Sequence, residues 1–341
     1  MMRVGIAGPL LGGHEGWVAS PGQALADRWR AEGGEVRTTS GQIGRVRRLA
    51  DTVVTVARWR HRVDVVVVLV YSGMGFAVAE ATTAVARAAG LPVVLWLHGG
   101  NLPDFAVDHP RRARRLLARA AVVVAPSPFL AEAVAVEGCR AEVIPNVVDL
   151  TMVPWRQHAP AAPRLLWMRT FHPLYEPDLA VRTLALLHRS HPEATLTMAG
   201  QEKGSLADVR RLVVELGLGD AVTFPGYIGD ADKAALFDRH DVFVNTNRVD
   251  NTPVSVIEAM ASGLVVVTTD AGGLPYLVTD GASGVVVPVG DDEAMAAAVR
   301  RVVDDPVLAA TLSTGGRAVA ESCGWDRVGP LWEAALKRAG A

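Results

Sequence analysis

The chain has 341 residues, half of them hydrophobic, and a formal net charge of −2 at pH 7. That length points to two domains, each able to bury its own core, and the near-neutral charge gives no ground for a nucleic-acid partner. The longest apolar run, VDVVVVLV (63–70), is strand-sized rather than membrane-spanning, and Cys139 and Cys323 lie far apart without partner spacing; a transmembrane helix, a disulfide framework and a zinc site are therefore not expected, and a reducing cytoplasm is. The first residues, MMRVGIAGPLLGG, read as a strand running into glycines rather than as a signal peptide.

In chain order, strand-like runs alternate with helical ones. VGIAG (4–8) leads to a glycine turn and a helix near 21–33. EVRTTS (35–40) precedes an arginine-rich helix near 43–60, and VDVVVVLVYS (63–72) precedes a helix near 75–89. PVVLWLH (92–98), a helix near 111–119, AVVVAPS (121–127), a helix near 128–137 and EVIPN (142–146) complete the first half. Residues 146–164, with three prolines, read as a connector. Alternation then restarts with RLLWMRT (164–170), ATLTMAG (194–200), AVTFPG (221–226), DVFVN (241–245), LVVVTTD (264–270) and GVVVP (284–288). Strands apolar along their whole length, separated by helices, predict parallel sheets covered on both faces. The expected architecture is α/β: two doubly wound, Rossmann-like domains, 1–149 and 150–322, facing across a ligand-binding cleft, with a terminal helix at 323–341.

Neither G-x-G-x-x-G nor a P-loop is present. Gly12–Gly13 follows the first strand and Gly272–Gly273 follows a strand of the second half. Each pair reads either as a tight turn or as backbone that approaches a phosphate closely. In DNTPVSVIEAMASG (250–263), Pro253 and Ser255 suit a helix start and Gly263 its stop. Glu258 falls in an apolar segment, and a buried carboxylate must be paired or bind something. Its two acceptor oxygens suit the hydroxyls of a ribose; pairing with an arginine is the alternative. Asp250 could hold sugar hydroxyls, or form an Asx-turn with Asn251. Asp230 and Asp232 in GDAD (229–232) mimic a metal motif, but they open a helix, as do Asp291 and Asp292, and helix-capping acids explain both.

Residues 250–288 resemble the nucleotide-sugar signature of retaining GT-B glycosyltransferases of family 4: two spaced carboxylates, Ala-Met-Ala-x-Gly, a Gly-Gly-Leu-Pro loop, a turn and Gly-hydrophobic-Pro. Gly12–Gly13, LH at 97–98, APS at 125–127, IPNVVD at 144–149 and MRT at 168–170 agree in order, so the resemblance covers nearly the whole chain.

The resemblance implies a nucleotide-diphosphate donor, UDP-linked by expectation, with a small-molecule, glycan or lipid-linked acceptor on the first domain. Gly13 and the Gly272–Gly273–Leu274 amides would cradle the diphosphate, and Arg169 would neutralise it. Glu258 would hold the ribose, Asp250 would face the hexose, and His98 would contact the donor sugar. Asn146, in the IPN step, joins the donor-binding set. The departing phosphate would deprotonate the acceptor on the same face, so configuration is retained; no cofactor or metal is expected. There are two departures from the family. Asp250 stands for a glutamate, and Tyr175-Glu176 stand where a Lys-Gly step is usual, which removes one phosphate-facing cation. Lys203 or His172 could replace it. These departures keep two other readings in view: a nucleotide-sugar-binding protein with little catalysis, and an epimerase or phosphorylase on the same fold.

Charge is uneven: residues 1–150 carry 17 arginines against 13 carboxylates, the remainder 17 basic against 23 acidic residues. The runs at 44–62 and 111–120 read as solvated helix faces or as weak peripheral contact with anionic lipid. Ile43, Val46, Leu49, Val53 and Val56 give the first run a helical apolar stripe.

Overall fold

The computed structural model describes residues 2–12 and 20–340. They divide into two compact units, Met1–Val147 with Trp325–Ala341, and Val148–Gly324. In the first unit the elements are β1 (Val4–Ala7), α1 (Pro21–Ala31), β2 (Val36–Thr39), α2 (Arg45–Arg58), β3 (Val65–Val70), α3 (Met74–Ala88), β4 (Val93–Leu97), α4 (Leu102–Asp108), α5 (Pro110–Leu117), β5 (Val122–Ala125), α6 (Pro128–Ala135) and β6 (Glu142–Val143). The six strands form a parallel sheet in the order β2-β1-β3-β4-β5-β6. β3 and β4 are buried at every residue, as valine-rich strands covered on both faces must be. Two details differ from the sequence reading. A second helix, α4, precedes α5, and its first turn holds Pro103 where the lost N–H costs nothing. β6 stops at Val143, because Pro145 has no N–H to extend the ladder.

The second unit holds β7 (Arg164–Met168), a 3₁₀ turn at Pro173–Tyr175, α7 (Pro177–Leu187), β8 (Thr195–Ala199), α8 (Leu206–Glu215), β9 (Val222–Gly226), α9 (Asp230–Asp238), β10 (Val242–Asn245), α10 (Val254–Ser262), β11 (Val265–Thr269), α11 (Leu274–Leu277), β12 (Val285–Val287), α12 (Asp292–Asp304) and α13 (Pro306–Ser322). Its parallel sheet runs β12-β11-β10-β7-β8-β9. The proline-rich connector is docked onto this unit. Val153, His158 and Ala161 are buried, and the Arg156 amide donates to the Ser262 carbonyl. Buried Asp241 takes His158 Nδ1 at 3.1 Å on one oxygen and Arg164 Nε at 2.6 Å on the other, and these partners hold its pKa below the usual value against the opposing effect of burial.

The last helix, α14 (Trp325–Gly340), belongs to the first unit. Val328, Trp332, Ala335 and Leu336 are buried in one cluster with Val65, Val67, Val94, Trp96 and Val124 of the sheet. Trp332 meets Trp96 edge-on with ring centroids 4.7 Å apart, and Trp325 meets Trp29 in the same way at 5.9 Å. Trp332 is 1% exposed, so Trp332→Ala leaves a cavity under the sheet and should cost about 3–5 kcal/mol of stability. Denaturant unfolding of the variant measures this; a loss under ~1 kcal/mol would show that the helix is not a structural part of the unit.

Candidate functional site

Both sheets reverse strand order at one place, and in open α/β sheets ligands bind beyond the carboxyl ends of the strands at such a switch. In the second unit the switch lies between β7 and β10. Arg169 follows β7 directly, and its amide continues the ladder by donating to the Ala199 carbonyl at 3.1 Å. Asp250 lies in the loop after β10. These loops leave neighbouring parallel strands at the same carboxyl edge of the sheet, so side chains far apart in sequence meet at their roots.

They meet as an ion pair. Arg169 Nη2 donates to Asp250 Oδ2, and the two side chains are 22% and 12% exposed. Asn247 Nδ2 donates to the same carboxylate oxygen at 2.6 Å, and the Asn251 amide donates to the other at 2.8 Å. Tyr175 lays its ring under the guanidinium, with the Arg169 Cζ 4.3 Å from the ring centroid, a cation–π distance. The Tyr175 backbone is fixed from below: its carbonyl accepts from Thr246 Oγ1 at 2.6 Å, and that hydroxyl accepts from Trp167 Nε1 at 2.9 Å. Glu176 has φ +40° and pairs with Arg248 at 2.5 Å. Tyr175 is therefore an aromatic platform for the Arg169 guanidinium.

Several buried polar atoms here have no partner among the described residues: Arg169 Nε, Asn245 Oδ1, Asn247 Oδ1, Ser255 Oγ and Glu176 Oε2. Buried polar atoms are normally satisfied. Five such atoms lie in the segments around this one strand-order reversal.

Glu258, on α10, is 15% exposed and receives Lys233 Nζ at 2.7 Å; the same ammonium contacts Asp230 at 2.9 Å. Glu258 is thus paired with a lysine from α9, not with the arginine considered from sequence. Burial raises its pKa, and Lys233 opposes that shift. Asp230 and Asp232 stand in the first turn of α9, and Asp291 caps α12 by accepting from the Ala294 amide at 2.8 Å.

The turn after β11 is more committed than the sequence suggests. The Gly273 amide donates to the Asp250 carbonyl at 3.2 Å and the Leu274 amide to Ala271 at 3.0 Å, while Gly272 takes φ +53°. A Cβ on Gly273 would lie 2.3 Å from the Asn251 carbonyl oxygen, so this glycine permits the close approach of the two loops. Lys203 is exposed, and its amide donates to Phe171, which sets its turn beside the segment after β7. His172 Nδ1 accepts from the Leu174 amide at 3.2 Å.

His98 and Asn146 belong to the first unit and are both buried. His98 follows β4, stacks on Tyr71 at 5.2 Å and touches Trp96 at 4.5 Å. Burial pushes its pKa down to about 3, so the imidazole is neutral at physiological pH, and its Nε2 has no partner among the described residues. Gly13 lies outside the described residues. Lys233 and Asn247 went unnoticed in the sequence. Lys233 follows Asp230 by three residues on a helix face, a spacing that signals a local ion pair but not its reach to Glu258.

Both halves of the chain resemble known proteins. The pattern of the glycosyl transferases group 1 matches residues 157–319, and that of glycosyltransferase family 4 matches residues 13–152. The D-inositol 3-phosphate glycosyltransferase of Streptomyces avermitilis is 32% identical over 169 residues, 47% of this chain and 36% of that protein. The glycogen synthase of Mycobacterium tuberculosis is 33% identical over 173 residues, 49% of this chain and 41% of that protein. The matches thus span well under half the length of these relatives. Among solved structures, HepE of Anabaena in complex with UDP-glucose superposes with a TM-score of 0.75 at 18% identity, covering 98% of this chain and 99% of that one. The sucrose-phosphate synthase of Thermosynechococcus elongatus gives 0.79 at 19% identity over the same shares. With both halves matched in order and two parallel six-stranded sheets of this kind, the chain belongs to the group 1, family 4 glycosyltransferases of GT-B fold.

Proposed function

We propose that the protein transfers a hexose-type sugar from a UDP-linked donor to an acceptor hydroxyl, with retention of configuration and without a metal ion. The observation that carries this reading is Arg169: a guanidinium fixed at the carboxyl end of β7, with a buried Nε donor that has no partner among the described residues. The family relatives named for glycosyl transfer, and the HepE structure with UDP-glucose, support the donor class.

The chemistry follows from charge. Cleaving a sugar–diphosphate bond leaves negative charge on the departing phosphate and positive charge on the sugar. A preorganised cation at the phosphate lowers that barrier because its dipoles need no reorganisation. In the free protein Asp250 occupies one edge of the Arg169 fork. The diphosphate takes the guanidinium, and Asp250 turns to the hexose hydroxyls. Glu258 accepts from the ribose hydroxyls. Lys203, in the turn beside the segment after β7, is suited to supply a second positive charge. In the first unit, neutral His98 is suited to hydrogen bonding with a sugar hydroxyl rather than to binding an anion. The departing phosphate removes the acceptor proton, so no separate base is assigned.

Phosphate charge grows toward the transition state, so losing Arg169 should lower turnover more than donor affinity. Arg169→Ala should reduce kcat by at least ~100-fold, the scale for losing one such donor. Arg169→Lys should recover only part, since an ammonium lacks the planar fork. Steady-state kinetics with UDP-glucose and mass spectrometry for donor hydrolysis read this out; a kcat within a few-fold of wild type would place the leaving group elsewhere. Binding of UDP-sugars with no turnover toward any acceptor, or to water, would favour the binding-protein reading.

Turnover should survive excess EDTA, because Arg169 supplies the charge at the phosphate and Asp230 is held by Lys233. Complete loss restored by Mg²⁺ or Mn²⁺ would reverse this.

The apolar stripe of α2 changes character along its length: Val56 is fully buried, whereas Leu49 and Val46 are 37% and 81% exposed beside Arg45 and Arg47, and Ile43, which the sequence reading put on the same stripe, precedes the Gly44 cap outside the helix and is 52% exposed. Apolar and basic residues alternating on one exposed helix end fit an anionic lipid surface. Co-sedimentation with phosphatidylglycerol vesicles, lost in Ile43→Ser/Val46→Ser and absent with phosphatidylcholine, is the expected outcome. Equal sedimentation of wild type and variant would sink the assignment.

A further inference from the structure

Glu258 is a carboxylate that burial disfavours as an anion. It sits on α10, whose other residues in the segment from Val256 to Ser262 are all buried. α10 packs against α9, α13, β10 and β11. The charged groups that these elements turn toward it are few. From α13, Arg317 donates to the Ala261 carbonyl at 2.7 Å and pairs with Glu321, so it serves the far end of the helix. β10 and β11 contribute valines, a phenylalanine, Asn245 and threonines. From α9 come Asp230, which raises the Glu258 pKa, and Lys233, which lowers it. Lys233 is thus the one cation in direct contact with Glu258 among the described residues, and it is held from its other side by Asp230, whose side chain is 73% exposed.

An isolated carboxylate in such a place protonates instead of remaining charged. A protonated Glu258 would carry one donor and a weakened acceptor, and could not take hydrogen bonds from two ribose hydroxyls at once. We propose that Lys233 is a positioning residue for the donor nucleotide: it fixes Glu258 in its ionised form and in one orientation, by binding a single oxygen and leaving the other open. The assignment rests on the ribose role proposed above for Glu258. Lys233 does not touch the nucleotide; it acts through the carboxylate. The Asp230–Lys233–Glu258 series then gives a purpose to the aspartate of GDAD, which anchors the lysine at the start of α9.

A lysine that merely ties α9 to α10 would affect stability alone. Acting through Glu258 leaves a different mark, namely a pH dependence of nucleotide affinity. Without Lys233 the folded-state pKa of Glu258 rises further. UDP binding is then weak at neutral pH and recovers as pH rises and the carboxyl ionises. Folding stability moves the other way: a carboxyl with a raised folded pKa makes the folded state hold the extra proton, so stability falls as pH rises from the ordinary carboxylate range toward that pKa.

Isothermal titration calorimetry with UDP between pH 7 and 9, on wild type, E258Q, K233M, K233R and the double variant K233M/E258Q, tests the proposal. UDP's own phosphate titration cancels when each affinity is divided by that of wild type at the same pH. Expected are a loss of about tenfold or more for E258Q at every pH, a similar loss for K233M at pH 7 that shrinks toward pH 9, and near-wild-type binding for K233R. The double variant, which removes both charges and so avoids an unpaired buried carboxylate should K233M fail to fold, should match E258Q alone. If E258Q binds weakly while K233M binds as wild type at all pH values, Lys233 has no such role although the ribose reading stands. If K233M binds more tightly than wild type, the lysine competes with the ribose and the proposal is overturned. A double variant much weaker than E258Q would show that Lys233 touches UDP directly, which also overturns it. If E258Q itself binds as well as wild type, the ribose reading fails, and the proposal with it.

Discussion

The second unit is organised around a pairing of two loops, made by Arg169 after β7 and Asp250 after β10. Strands buried on both faces cannot carry polar side chains along their length, so polar residues collect where the strands end. At most strand ends such residues face water. Where the order of strands reverses, the loops from two adjacent strands diverge to opposite sides of the sheet, and residues at their roots are left facing one another. Opposite charges at those roots hold the opening together, and Asn247, the Asn251 amide and the Tyr175 ring fix the rotamers on either side.

Tyr175 holds the Arg169 guanidinium without adding charge. An aromatic ring beneath a guanidinium restrains it as a neighbouring side chain must, but adds no positive charge. The site therefore depends on one fixed cation already half-neutralised by Asp250. A dianionic ligand entering there meets less attraction than two cations would offer. On the donor-binding role proposed for Arg169, selectivity among phosphate-bearing molecules would rest more on fit to the polar atoms without partners, Arg169 Nε and Asn247 Oδ1 among them, than on total charge.

Much of this was legible in the sequence. The valine-rich strands, the proline-bearing helix starts and Gly263 as a helix stop all follow from local rules; Gly263 adopts φ +93°. The two carboxylates stand out as candidates in the sequence, and the family resemblance adds the arginine. What was not legible is who touches whom. Glu258 meets a lysine 25 residues earlier in the chain, and Arg169 meets a carboxylate 81 residues later. Such partnerships depend on strand order, which periodicity does not encode. The connector was misleading for a related reason: its prolines announce irregular backbone, but only the fold shows His158 and Arg164 gripping a single buried carboxylate. The glycine turn after β11 likewise promised open amides, while two of the three are already used within the protein.

The first unit draws on both ends of the chain, whereas the second is one uninterrupted segment. Domains usually mature in the order in which they are synthesised. Here that order cannot hold. When the ribosome has released Val147, the sheet of the first unit still lacks Val328, Trp332 and Leu336, and one flank of β3, β4 and β5 lies bare. The second unit can complete itself first. A nascent chain therefore carries an unfinished apolar face through the whole synthesis of its neighbour, and a premature stop just before Trp325 is more damaging to the distant beginning of the protein than to the segment it follows.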